Sequence, residues 1–117
     1  MKVPNEAREM KRGEVWWVEF DPAVGTEIRK TRPAVIISND AANRNLSRVI
    51  VVALTSNTER VYPGNALVSV GGALSKAMAD QIMTADKLRL KSRLGELSKP
   101  DMQAVDDAVC VQLGLRK

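Results

Sequence analysis

The sequence predicts a mostly β (α+β) fold, a small barrel of short strands closed by one C-terminal helix. Two observations predict it. Between residues 14 and 85 the apolar residues come in short runs, broken by Gly, Pro, Asn and Asp, with the length and alternation of strands. After Ser98 the spacing turns helical, with Met102, Val105, Val109 and Leu113 on one face. The chain has 117 residues, of which 44% are hydrophobic. That fits one domain, at roughly 100–200 residues per domain, with one modest core. Several short strands and a terminal helix pack most simply as a barrel that the helix closes.

The elements follow in order. Residues 1–10 read as a loose N-terminal extension without the apolar stretch of a signal peptide; residues 11–117 form the single domain. Gly13 opens the first strand, Glu14 to Phe20, EVWWVEF, whose Trp16, Val18 and Phe20 share a face at period two. Asp21-Pro22 ends it, and residues 22–32 form a polar loop with Gly25 near its tip. Pro33 lacks an N–H and is expected at a strand's first position, before Ala34 to Ser38. Asn39-Asp40 starts a turn or one short helical turn through Asn43. Arg48 to Leu54, RVIVVAL, is an unbroken apolar run with the look of a strand buried on both faces. Tyr62 to Asn65 is a turn before a short strand, Ala66 to Val70, and Gly71-Gly72 breaks the chain again. Ser75 to Ala85 reads as two short strands or one bent strand with Asp80-Gln81 in its middle, and Asp86 as the cap of one helical turn. The last helix has Ser98 as N-cap, Pro100 in its first turn, Asp101 three residues after the cap and Gly114 at its end.

Composition excludes several chemistries. There is no histidine, so His-based proton shuttles, Ser-His-Asp triads and imidazole metal sites are absent. The single cysteine, Cys110, cannot form an intrachain disulfide and fits a reducing compartment; its neighbours Val109 and Val111 suggest a packed thiol. No metal site is expected. No run approaches the roughly 20 apolar residues of a membrane span. Trp16, Trp17, Phe20 and Tyr62 are all the aromatics, which argues against a single-strand binder built on several stacking platforms. A net charge of +4 favours a polyanionic partner, weakly.

One constellation carries chemistry. Three cations, Arg29, Lys30 and Arg32, immediately precede the apolar strand that starts after Pro33, and Thr55-Ser56-Asn57 follows the strand over residues 48–54. Strands consecutive in sequence usually pair. Antiparallel pairing would bring Arg32 and Thr55 to one edge, with Glu27, Arg29, Lys30, Ser56 and Asn57 gathered around them. Guanidinium and hydroxyl donors suit phosphodiester chemistry on RNA, where the 2′-hydroxyl is the built-in nucleophile and charge on the phosphorane oxygens must be stabilised. From spacing alone, an arginine before a strand is more often a solvated edge residue, and Thr-Ser-Asn more often turn chemistry.

Beyond spacing, the residues themselves bear a likeness. KRGEVWWVEFDPAVGTEIRKTRPAVIISND, then VVALTSN, then DQIMTADKLRL and a closing helix ending in QLGL resemble the MazF/PemK family of toxin endoribonucleases over residues 11 to 115. RGEVW, the VGTE loop, KTRP, LTSN and DQI occur in the family's order. The resemblance implies an SH3-like β-barrel of the MazF/PemK/CcdB kind. It also implies a cytoplasmic homodimer and sequence-specific cleavage of single-stranded mRNA without metal or other cofactor, leaving 2′,3′-cyclic phosphate and 5′-hydroxyl ends. The family's catalytic arginine falls on Arg32 and its catalytic threonine on Thr55. Its loop hydroxyl and glutamate fall on Thr26 and Glu27, and the glutamine of its QIRT segment on Gln81. Arginine, with a pKa above about 12, is a poor base. Arg32 is therefore expected to stabilise charge, and Glu27 is the carboxylate that could accept a proton. Catalytic candidates are Arg32, Thr55 and Glu27; RNA-binding candidates are Gly25, Thr26, Arg29, Lys30, Asn39, Ser56, Asn57 and Gln81. Met83 departs from the family, standing where arginine is frequent, so sequence preference is expected to differ. Positive charge around Arg32 adds the expectation of a MazE-like antitoxin that docks an acidic, apolar C-terminal segment. Alternatives are a CcdB-like toxin acting on gyrase, or a non-catalytic RNA-binding barrel. Lys87, Arg89, Lys91 and Arg93, alternating with leucines, read as four cations on one face of an extended stretch: a solvated face, an RNA track or an antitoxin contact.

Overall fold

The computed structural model describes residues 9–21, 24–27 and 30–115. Six strands, β1 (Glu14–Glu19), β2 (Thr31–Ile36), β3 (Arg48–Thr55), β4 (Asn65–Val70), β5 (Ala73–Asp86) and β6 (Leu90–Glu96), form one antiparallel sheet in the order β4-β5-β3-β2-β1-β6. A short helix, α1 (Asp40–Asn45), joins β2 to β3, and a long one, α2 (Lys99–Leu113), follows β6. The sheet curls until its two edges approach: Gly95 of β6 lies where an added Cβ would stand 3.6 Å from Val70 of β4. This is the expected mostly β fold with its closing helix.

Alternation along the strands splits the apolar residues between two cores. Val15, Val35, Val52, Leu54, Val68 and Ala77 pack with Val105 and Ala108 of α2. Trp16, Val18, Phe20, Ile36, Val51 and Leu90 fill the other face. β3 contributes to both over residues 51–54, as expected of a strand buried on two faces, whereas Ile50 in its first half is exposed. Met10 is 4% exposed and belongs to the second core. The expected extension over residues 1–10 lies mostly outside the described residues, but its last residue is packed. On α2, Met102, Val105, Ala108 and Val109 make the packed face, while Leu113, placed there by spacing, is exposed. Cys110 is half-buried.

Three elements differ from expectation for identifiable reasons. β2 begins at Thr31, so Pro33 is its third residue, not its first. Pro33 faces Trp17 of β1, and pairing with β3 starts only at Ala34, so β3 asks no N–H of it there. Residues 73–86 form one strand, but Val52 pairs with Ile82 and Ala53 with Met78, leaving Ala79, Asp80 and Gln81 as a three-residue bulge. The stretch holding Lys87, Arg89, Lys91 and Arg93 is not uniformly extended. The Asp86 carboxylate accepts from Leu88 N–H and caps a 3₁₀ turn over Lys87–Arg89, which separates the first two cations from the strand that carries the others.

Candidate active site

The antiparallel register Ala34↔Ala53, Val35↔Val52, Ile36↔Val51, continued two residues, sets Arg32 opposite Thr55. The two meet at one end of the sheet, as the antiparallel argument requires. There they line a cleft of about 320 Å³ with Trp17, Lys30, Thr31, Pro33, Leu54, Ser56 and Ser75. Arg32 and Thr55 are half-buried; Lys30 and Ser56 are exposed.

Local chemistry orients these groups. The Thr55 Oγ1 accepts from Asn57 N–H at 3.2 Å. With one acceptor site taken by the backbone, the hydroxyl hydrogen is left to donate, and a hydroxyl has just one. Asn57 Oδ1 accepts in turn from Glu59 N–H at 3.1 Å, so that side-chain oxygen serves the turn that ends β3. Lys30 adopts φ +64°, unusual for a residue with a side chain. Its N–H donates to Asp21 Oδ1 at 3.0 Å and its carbonyl accepts from Phe20 N–H at 3.0 Å, closing the β1–β2 loop and holding the kink at the cleft's rim.

The loop tip builds a second cleft. Gly25 takes φ +60°, the left-handed conformation that glycine accepts without steric cost. Across this turn Glu27 N–H donates to Val24 O at 3.1 Å and Val24 N–H to Glu27 Oε1 at 2.7 Å. Thr26 and Glu27 then line a cleft of about 250 Å³ with Phe20, Asp80, Gln81, Ile82 and Met83. The β5 bulge supplies Asp80 and Gln81 to it.

The structure thus brings Lys30, Arg32, Thr55 and Ser56 together in one cleft, and Thr26, Glu27 and Gln81 in another. Glu27 is not among the groups lining the Arg32 cleft. Asn39 is with neither: it caps α1, its Oδ1 accepting from Ala42 N–H at 2.8 Å, beyond the opposite end of β2 from Arg32. Arg29 lies outside the described residues. A larger cleft, about 460 Å³, is walled by Glu9, Met10, Lys11, Asp40, Asn43, Arg44 and Lys87 and holds none of the candidate catalytic or RNA-binding residues. Its walls mix both charges, whereas the smaller Arg32 cleft is lined by cations and hydroxyls without a carboxylate, which makes it the better chemical candidate for an anion.

Sequence reasoning missed three lining or adjacent residues. Trp17 is, with Val15, one of two apolar residues out of phase in EVWWVEF, a signal present but unused. Ser75 lines the cleft, and Lys76 pairs with Thr55 across β3 and β5 while its Nζ donates to Arg60 O at 2.7 Å. Both come from a strand whose register depends on the bulge, which no local pattern discloses.

Among the described residues no group of three or more His, Cys, Asp or Glu side chains is placed to hold a metal ion. The donors at the Arg32 cleft are cationic or hydroxylic, the set that binds and stabilises an anion.

Comparison with known proteins matches residues 11–113 to the family described as PemK-like, MazF-like toxin of type II toxin-antitoxin system. Endoribonuclease MazF9 of Mycobacterium tuberculosis (strain ATCC 25618 / H37Rv) is 39% identical over 115 residues, covering 91% of this chain and 98% of the relative. Among solved structures, an endoribonuclease from a mycobacterial species superposes with a TM-score of 0.79 at 28% identity, over 94% of this chain and 96% of that one. An endoribonuclease in complex with its cognate antitoxin, also mycobacterial, gives 0.77 at 29% identity, over 92% and 97%.

Proposed function

The chain belongs to the PemK-like, MazF-like toxin family of type II toxin–antitoxin systems, and from that premise we propose that it is an endoribonuclease that cuts single-stranded mRNA without a metal ion. The carrying observation is that Arg32 and Thr55 line one cleft, with the Thr55 hydroxyl already accepting from Asn57 N–H. The RNA 2′-hydroxyl attacks the adjacent phosphorus. Arg32 holds two phosphate oxygens in its fork and stabilises their charge as the phosphorane forms. Thr55 donates to an equatorial oxygen, and Lys30 and Ser56 hold the flanking backbone. Expulsion of the 5′-oxygen, which takes up a proton from water, leaves a 2′,3′-cyclic phosphate and a 5′-hydroxyl.

Glu27 is the carboxylate assigned to the 2′-hydroxyl proton. Its present partner is the exposed backbone N–H of Val24, so serving the Arg32 cleft requires the loop to move when RNA binds. Gly25, Thr26, Arg29, Asn39, Asn57 and Gln81 complete the proposed RNA contacts. An antitoxin is the protein partner, as in the mycobacterial complex; its contact through an acidic segment, the homodimer and a cytoplasmic location are further parts of the reading. No described helix is long and apolar enough to cross a membrane.

Incubation with naked RNA in EDTA tests the reading. The expected outcome is fragments with 5′-hydroxyl ends. Cleavage that requires magnesium, or fragments with 5′-phosphates, would overturn it, and intact RNA would favour the gyrase-directed alternative.

A further inference from the structure

β1 sends Trp16 and Val18 into one core, which Phe20 just after the strand also joins, and Val15 into the other, but Trp17 belongs to neither. Trp16 is 2% exposed and donates its Nε1 hydrogen to Glu14 at 3.0 Å. Trp17 is 37% exposed and lines the Arg32 cleft. Its cross-strand partner is Pro33, and the β2–β3 register carries the row on to Leu54, another lining residue. Trp17, Pro33 and Leu54 therefore make an apolar row across three strands, beside the cationic and hydroxylic groups of the same cleft.

A nucleotide has two dissimilar parts, an anionic phosphate and a flat apolar base face. This cleft offers a partner for each. We propose that the Trp17 indole is the platform on which the base flanking the scissile phosphate stacks, a contact that rests on the ribonuclease reading above. Stacking on an aromatic tolerates any base, so Trp17 supplies affinity and alignment rather than sequence choice. It pins the nucleotide on one side of the phosphate that Arg32 holds, which limits the rotations that would take the 2′-hydroxyl out of line.

A cycle between protein and substrate tests this. The substrate is a defined RNA that the protein cleaves, alongside versions in which the nucleotide on either side of the scissile bond lacks its base but keeps its 2′-hydroxyl. Removing one of those bases should lower kcat/KM about ten- to a hundredfold, the range of a single stacked base. Trp17→Ala should lose a similar factor on intact RNA and lose little more on the abasic RNA. Trp17→Phe should recover most of the loss and Trp17→Leu little of it. The Phe and Leu variants carry the cycle if circular dichroism shows that the Ala variant misfolds. Losses that multiply in an active enzyme overturn the proposal alone. So does a Trp17→Ala variant with undiminished cleavage that has lost inhibition by an acidic peptide, because the indole then serves a protein partner. Absence of any RNA cleavage by the unmodified protein overturns the ribonuclease reading itself.

Discussion

Arg32 is held by backbone that has little freedom. Pro33 confines the residue before it to extended conformations, and Arg32 is itself paired with Val18 of β1. A donor placed this way loses little entropy when the phosphorane forms. Arg32→Ala should therefore lower turnover about 10²- to 10³-fold with an unchanged circular dichroism spectrum, and Arg32→Lys should restore little, because an ammonium cannot form the bidentate fork. Turnover close to the unmodified level would remove Arg32 from the mechanism. Asp40 offers a separate test at the far end of β2. Its carboxylate accepts from the Arg12 backbone N–H at 2.8 Å, and that bond, more than the Asn43 amide and the charges of Arg44 and Lys11, holds it below the usual aspartate pKa against the opposing effect of burial. A carboxyl depressed by folding contributes stability above its unfolded pKa and loses that contribution as pH falls through the folded value. Melting temperature should thus drop on acidification below about pH 4, and Asp40→Asn should drop less over the same range; parallel curves would show that Asp40 plays no part. At this scale Arg32 and Thr55 were legible because each sits beside a long apolar run that announces a strand. Trp17 was not, because period-two reading sorts residues into core and solvent faces and has no class for a side chain at a cleft.

Among the elements, β6 is secured by the cations that sequence alone assigned to a single face. Arg93 Nε donates to Glu14 Oε2 at 3.0 Å and its Nη2 lies 3.7 Å from Glu96 Oε1. Glu14, with its side chain 9% exposed, also accepts from Lys11 N–H and Trp16 Nε1. Arg89 donates to the carbonyls of Glu19 and Asp21, Lys91 to that of Leu88 and Lys87 to that of Asn43. These bonds staple β6 and its 3₁₀ turn to β1 and α1, so the four cations have structural ties, Lys91 and Arg93 from an exposed face. Arg93→Met should lower stability by about 1–3 kcal/mol, since it leaves a buried carboxylate with fewer donors, while kcat on RNA stays within a few-fold. A variant of unchanged melting temperature but weakened RNA binding would return Arg93 to the substrate track. The sequence showed the Asp86 cap and the alternation; it did not show which partners these cations hold, up to 79 residues away. The same limit hid the β5 bulge, which depends on β3 and on Gly64, whose carbonyl accepts from Ala79 N–H at 3.0 Å.

At the scale of the molecule, the fold was legible because strand runs, turn residues and one capped helix all pointed to the same architecture. What stayed out of reach was which apolar faces share a core, a property of the curled sheet as a whole. A net charge of +4 on this small domain sets the expected behaviour toward anions. RNA affinity should fall as salt rises, with the slope reduced in Lys30→Ala. An acidic, apolar peptide standing for the antitoxin segment should compete with RNA, seen as a rise in apparent KM with unchanged kcat; a bound peptide that leaves cleavage untouched would reject competition. The sheet order has one more consequence. β1 lies between β2, which follows it directly, and β6, whose Glu96 pairs with Glu14 while Leu97 N–H donates to Gly13 O. At about 5–20 residues per second of synthesis, β1 waits roughly 4–15 seconds for the strand that completes it. The edge of β1 that β6 will occupy, in the strand that carries Trp17, stays bare until then. A nascent chain therefore completes this sheet only once β6 has followed the five strands before it, a delay written into the order of the strands.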